Sequence, residues 1–149
     1  MFREPRDYRY YLKLWMDCAK RYGLDVHAFC EMTNHIHFLV TNRQKDAISR
    51  TMQTVGSNYA RYVNREYDRT GSLWEGRHRA HLVQGMEYVM QCYCYIELNP
   101  VRTGIAAKPS DYPWSSYHNT AIGSPGWLTR HGTALTDEDA FEVEVCDYH

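Results

Sequence analysis

The chain has 149 residues, a formal net charge of −1 and a hydrophobic fraction of 44%. That length suits one domain with a sizeable core, the near-neutral balance excludes a uniformly basic DNA-binding body, and no apolar run approaches membrane-spanning length. The five cysteines are odd in number and none lies in a Cys-x-x-Cys pair; with no signal-like N-terminal stretch, reduced thiols in a cytoplasm are the simplest expectation.

Charge is unevenly distributed. Residues 43–80 carry Arg43, Lys45, Arg50, Arg61, Arg65, Arg69, Arg77 and Arg79 against Asp46, Glu66, Asp68 and Glu75. Residues 131–149 carry Asp137, Glu138, Asp139, Glu142, Glu144 and Asp147 with no Lys or Arg. A basic body with an acidic tail is compatible with nucleic-acid binding and equally with a solvated mixed surface. Thirteen tyrosines and four tryptophans serve a core or stack on unpaired bases.

In chain order, Tyr8, Tyr11, Leu12, Trp15, Ala19 and Tyr22 recur at helical steps and predict a helix over 7–22, stopped by Gly23. Residues 25–32 and 35–41 read as two strands, and the Thr33-Asn34 turn joins them as an antiparallel hairpin. A long helix follows over 46–67, with Asp46 as N-cap and Ile48, Met52, Val55, Tyr59 and Val63 as its buried stripe. Gly71 and Gly76 bracket a loop, and 77–83 reads as a further strand. A third helix over 86–98 turns Val89, Cys92 and Ile96 inward, and Asn99, preceding Pro100, marks its end. From Pro109 the chain reads as irregular, anchored by Tyr112, Trp114 and Tyr117. This order predicts an α+β protein with helices on one face of a small antiparallel sheet.

Two side-chain pairs carry the chemistry. His35 and His37 are two apart on a strand, so their imidazoles share a face while Ile36, Phe38 and Val40 point the other way. Tyr95 and Asn99 are four apart near a helix end and share a side. Two imidazoles and a carboxamide oxygen can hold a divalent ion, and a phenol beside that ion can attack a phosphodiester. Each residue also has a plainer use: the histidines as strand-surface residues, Asn99 as a cap, Tyr95 as a core aromatic. Cys30, His35, His37, Cys92 and Cys94 contain the atoms of a structural zinc site, but Cys92 and Cys94 point to different helix faces. Arg61 with Arg65, and Arg77 with Arg79, are spaced to grip phosphates, and Trp74, Tyr59 and Tyr62 lie near them in sequence.

With these segments in hand, the chain resembles the REP-associated tyrosine transposases of the HUH superfamily of single-strand DNA endonucleases. The likeness runs from about Phe2 to about Gly123. It is carried by Arg21-Tyr22-Gly23 to Thr41, Asn58-Tyr59-Ala60-Arg61-Tyr62-Val63-Asn64, Gly71-Ser72-Leu73-Trp74-Glu75-Gly76-Arg77, Tyr95 to Gly104, and Asp111-Tyr112-Pro113-Trp114-Ser115-Ser116-Tyr117. The resemblance implies a ferredoxin-like antiparallel sheet, a metal site of His35, His37 and Asn99 for Mg2+ or Mn2+, and Tyr95 as nucleophile. It implies single-stranded or hairpin DNA as partner, cut through a 5′-phosphotyrosine link. The expected DNA contacts are Arg61, Arg65, Trp74, Arg77, Arg79 and Arg102. A nucleoid-associated cytoplasmic location and a homodimer are consistent with it.

The expected organisation is a transposase body over 1–123 and a divergent acidic tail over 124–149. Relatives open with a strand before the position of Phe2, whose absence would leave an unpaired sheet edge prone to association. A domesticated hairpin-binding protein without cleavage activity is the alternative that this departure raises, and a structural zinc protein is the more distant one.

Overall fold

The computed structural model describes residues 2–74, 78–120, 128 and 140–146. Helix α1 (Pro5–Tyr22) leads into the hairpin β1 (Leu24–Glu31) and β2 (His35–Asn42), followed by α2 (Ala47–Glu66). Strand β3 (Arg79–Val83), α3 (Met86–Glu97), the short α4 (Asn99–Arg102) and α5 (Tyr117–Thr120), and β4 (Ala140–Cys146) complete the order. The four strands form one antiparallel sheet in the order β1-β2-β4-β3.

The N-terminus of α1 is fixed by a carboxylate. Pro5 occupies the first turn, where a missing N–H costs nothing. The buried Asp7 accepts hydrogen bonds from the Arg3 and Glu4 amides at 2.9 and 3.0 Å and from the Tyr62 and Tyr67 hydroxyls at 2.8 and 2.6 Å. Burial pushes this carboxyl up, but the donors from Tyr67, Arg3, Glu4 and Tyr62 outweigh it and hold it below its ordinary value of 3.8. Asp7 therefore stabilises the fold above that ordinary value, and the contribution is lost as pH falls through the lowered one. At the other end Gly23 adopts φ 75°, a left-handed cap, and a Cβ there would sit 2.6 Å from Gln44 Cγ.

Period-two alternation in β2 divides the protein into layers. Ile36, Phe38 and Val40 join a core with Tyr11 and Trp15 of α1 and Val55, Tyr59 and Val63 of α2. Leu39 joins a second core on the other face, with Ala28, Cys30 and Met32 and with Val89, Cys92 and Ile96 of α3. The register of β1 against β2 shifts between Val26 and Ala28. This bulge sends Val26 and Phe29 to one core and Ala28 and Cys30 to the other. The α+β class and antiparallel sheet are as the sequence predicts. The layering differs: α1 and α2 cover one face and α3 covers the opposite one.

Two further local readings change. Asp46 takes a left-handed φ of 59° and gives α2 no side-chain cap; Asn42 Oδ1 accepts the Ile48 amide at 3.0 Å instead. The expected Gly76 bracket and Arg77 lie outside the described residues. The acidic tail contributes β4, which lies between β2 and β3 and pairs with both. Its sequence, Ala140-Phe141-Glu142-Val143-Glu144-Val145-Cys146, alternates apolar and acidic residues, a strand signal masked by the charge count. The edge of β2 opposite β1 is thus paired with β4, which makes 140–146 part of the sheet. Val143 is fully buried opposite Phe38.

Glu31 is a cost within this architecture. It is fully buried, and neither carboxyl oxygen accepts a hydrogen bond among the described residues. Burial raises its pKa well above the ordinary 4.5. A carboxyl raised in the folded state weakens stability progressively as pH rises above the unfolded value. Replacing Glu31 by Met should stabilise the protein by about 1–3 kcal/mol at neutral pH, with the gain shrinking toward pH 4; urea melts across that range test it. Conversely, Val143→Asp buries an unpaired charge against Phe38 and should cost about 3 kcal/mol or more in the same assay; an unchanged midpoint would show that β4 contributes nothing to the sheet.

Candidate active site

The alternation that buries Ile36 and Phe38 turns His35 and His37 to the α3 face. His37 is buried and His35 half-buried. Their ring centroids are 5.0 Å apart and nearly perpendicular, at 86°. The Asn34 side-chain oxygen lies 2.8 Å from His35 Nδ1 and restrains that ring.

Helix α3 packs through Val89, Cys92 and Ile96, and this stripe sets its rotation. Tyr95 flanks the stripe, so its ring emerges at the border of the packed surface. It lies edge-on to His37 with centroids 5.7 Å apart at 87°, and is 45% exposed. The phenol and imidazole pair, distant in sequence, are thus adjacent in space.

A polar lock holds α3 in that position. The buried Glu97 accepts hydrogen bonds from Ser116 Oγ and Thr120 Oγ1, both at 2.6 Å. Ser116 Oγ also accepts the Phe29 amide of β1 at 3.0 Å. The C-terminal end of α3 is thereby tied to the strand hydrogen-bonded to β2. Glu97 and Ser116 both fall within the resembling stretches, but nothing in their spacing announces that they meet.

Asn99 is buried at the start of α4, one residue after the Leu98 C-cap of α3; although it precedes Pro100 it is itself helical rather than the end of α3. Its carbonyl accepts the Thr103 amide and hydroxyl at 3.1 and 2.9 Å. Arg102, on the next turn, lays its guanidinium 3.9 Å over the Tyr95 ring and donates from Nη2 to the Tyr95 carbonyl at 3.0 Å. Glu144 of β4 stands opposite His37 and also opposite Arg79 of β3. Residues facing each other across antiparallel strands share a face, so a carboxylate and a guanidinium border the histidines. Counting the tail only as charge hides Glu144.

The other expected DNA contacts separate. Arg79 is exposed on β3 and Arg102 borders Tyr95. Arg61 and Arg65 are exposed on α2, across the sheet from the histidines. Trp74 is committed to packing: its indole donates to the Gly56 carbonyl at 2.9 Å and tilts against Tyr59 and Tyr11. A Cβ on Gly56 would approach Trp74 Nε1 to 3.3 Å, so the glycine makes room for the indole.

Among the described residues no three His, Cys, Asp or Glu side chains are grouped to hold an ion. This removes the zinc cluster as drawn from Cys30, His35, His37, Cys92 and Cys94. Cys30 Sγ is directed to Met32 Sδ at 3.6 Å. A third donor to an ion at the two imidazoles would come from a carboxamide, main-chain carbonyl, water or substrate. Two imidazoles with such oxygen donors can hold a divalent cation.

Fold and site together define a three-layered α+β protein whose inner strand presents paired histidines to a helix-borne tyrosine. The chain belongs to the IS200-like transposase family, whose description matches residues 2–99. It is 25% identical over 110 residues to a Haemophilus influenzae protein named as a REP-associated tyrosine transposase, covering 67% of this chain. It spans 62% of the length of that relative. Its fold matches a REP-associated tyrosine transposase solved bound to a REP hairpin, with a TM-score of 0.70 at 18% identity, over 89% of this chain and 78% of the other. No described helix is long and apolar enough to cross a membrane.

Proposed function

We propose that the protein is a metal-dependent transposase that cleaves and rejoins single-stranded DNA beside hairpins, with Tyr95 as nucleophile. The observation that carries this reading is the contact of the Tyr95 ring with His37 at the border of α3 and β2, in a chain of the IS200-like transposase family. The hairpin bound by the structurally similar transposase supports the choice of DNA.

In this reading His35, His37 and Asn99 hold a divalent cation, Mn2+ or Mg2+. When bound, the cation withdraws charge from a phosphate oxygen and favours the phenolate over the phenol. Tyr95, half-exposed, attacks the phosphorus through its phenolic oxygen, and its proton passes to solvent. The bond from phosphorus to the 3′ oxygen breaks, and that oxygen takes up a proton. The products are a 5′-phosphate ester on Tyr95 and a free 3′-hydroxyl. Attack of a 3′-hydroxyl on the ester restores a phosphodiester, so no nucleotide cofactor is consumed. Glu97, Ser116 and Thr120 keep the phenol in register with the imidazoles while DNA binds. Arg79 and Arg102 take phosphates beside the break, and Arg61 and Arg65 take a more distant arm of the DNA folded around the sheet. Arg77 belongs with Arg79 in this assignment.

Incubation with labelled hairpin oligonucleotides and Mn2+, followed by a denaturing gel, should trap a covalent product. Tyr95→Phe should abolish it while changing hairpin affinity by no more than about two-fold. A persisting adduct would move the nucleophile elsewhere, and binding without any adduct in the unaltered protein would favour a hairpin-binding role. His37→Ala should weaken Mn2+ binding by about ten-fold or more, measured by electron paramagnetic resonance without DNA; unchanged affinity would place the ion elsewhere.

A further inference from the structure

The Tyr95 phenol has little to hold it. It is 45% exposed and stands between two open hollows. One, of about 440 Å³, is bordered by Met90, Cys94 and Leu98; the other, of about 540 Å³, by Leu82, Tyr88 and Gln91. A tyrosine on a helix has two favourable χ1 wells, and Tyr95 borders both hollows. A ring that divided its time between those wells would spend much of it away from His37.

Arg102 opposes that motion. Its guanidinium carbon lies 3.9 Å over the ring centroid, contact of a cation with a π face. The same guanidinium is aimed by a second bond, from Nη2 to the Tyr95 carbonyl at 3.0 Å. The side chain therefore grips one residue at two points, backbone and ring, from one face, while His37 meets the ring edge-on at 87°. Arg102 can do this because it lies on α4, which restarts at Asn99 after the break at Leu98, with the Arg102 amide bonded to the Leu98 carbonyl at 3.0 Å. A lysine could neutralise the α3 C-terminus equally well, but only a planar fork can stack on the ring and bond the carbonyl together.

We propose that Arg102 is a positioning residue: it holds the Tyr95 side chain in the single rotamer that faces the paired histidines. This deepens the proposed function, on which its catalytic consequence rests. It also changes the role expected for Arg102, from a phosphate grip alone to an orienter of the nucleophile.

The test compares the unaltered protein with Arg102→Lys and Arg102→Met, each first matched for thermal melting. Three-bond Hα–Hβ couplings of Tyr95, measured by NMR in metal-free protein, read the χ1 distribution directly. One dominant rotamer is expected in the unaltered protein and averaging between wells in both variants. Single-turnover adduct formation at saturating hairpin DNA, where weaker binding no longer limits the rate, should fall about 10- to 100-fold in Arg102→Met and recover only in part in Arg102→Lys. Couplings that stay those of one rotamer in both variants would overturn the proposal, as would weaker DNA binding with an unchanged saturating rate. If the unaltered protein forms no adduct, the transposase reading fails, and the couplings alone still decide whether Arg102 fixes the ring.

Discussion

A strand in the interior of a sheet has two faces, and β2 uses them for opposite purposes. Ile36, Phe38 and Val40 are fully buried against α1 and α2, and this apolar anchorage fixes the strand so that His35 and His37 have one direction in which to point. A one-residue slip would bury both imidazoles among Trp15 and Tyr59 and carry Phe38 to the site. Everything else adjusts to that register: the bulge in β1 that supplies both cores, the stripe by which α3 docks, and the contact of Tyr95 with His37.

Docking of α3 has a division of labour. Its apolar stripe supplies the affinity, while Glu97 supplies the address. A carboxylate that accepts two short hydroxyl bonds and is linked through Ser116 to the backbone of β1 tolerates little sliding or rotation of its helix. Two residues ahead of the lock at Glu97 the tyrosine is held on a stiff segment, whereas Met86, Tyr88 and Met90 remain exposed along the outer side of the same helix. Rigid toward the sheet and open toward solvent, α3 can meet an extended ligand without loosening its grip on the core.

Much of this was legible in the chain. The helical stripes over Tyr8 to Tyr22 and Ile48 to Val63 and the alternation through His35 to Val40 are strong local patterns, and they predict element type, core face and the direction of the histidines. The nearness of Tyr95 to His37 came from resemblance, since no local pattern states which way a helix leans across a sheet. What local reading missed depends on partners remote in sequence. Asp46 has a capping residue's chemistry, yet Asn42 performs that task from the end of β2. Trp74 has the chemistry of a base-stacking platform, yet its indole N–H is spent on Gly56. The segment 140–146 has an alternating pattern, but its acidic residues drew attention to charge rather than period, and pairing with β2 and β3 is settled only in three dimensions.

The position of β4 has a topological consequence. It lies between β2 and β3, antiparallel to both, and Cys146 stands opposite His35. The Phe2 amide bonds to the Thr33 carbonyl at 3.3 Å, so the end of β4 and the start of α1 reach the same corner of the sheet. Any strand entering from ahead of α1 would have to evict β4 to reach β2, and the two segments would compete as alternative tenants of one berth beside the histidines. The surroundings of His37 would then depend on which of them was in residence.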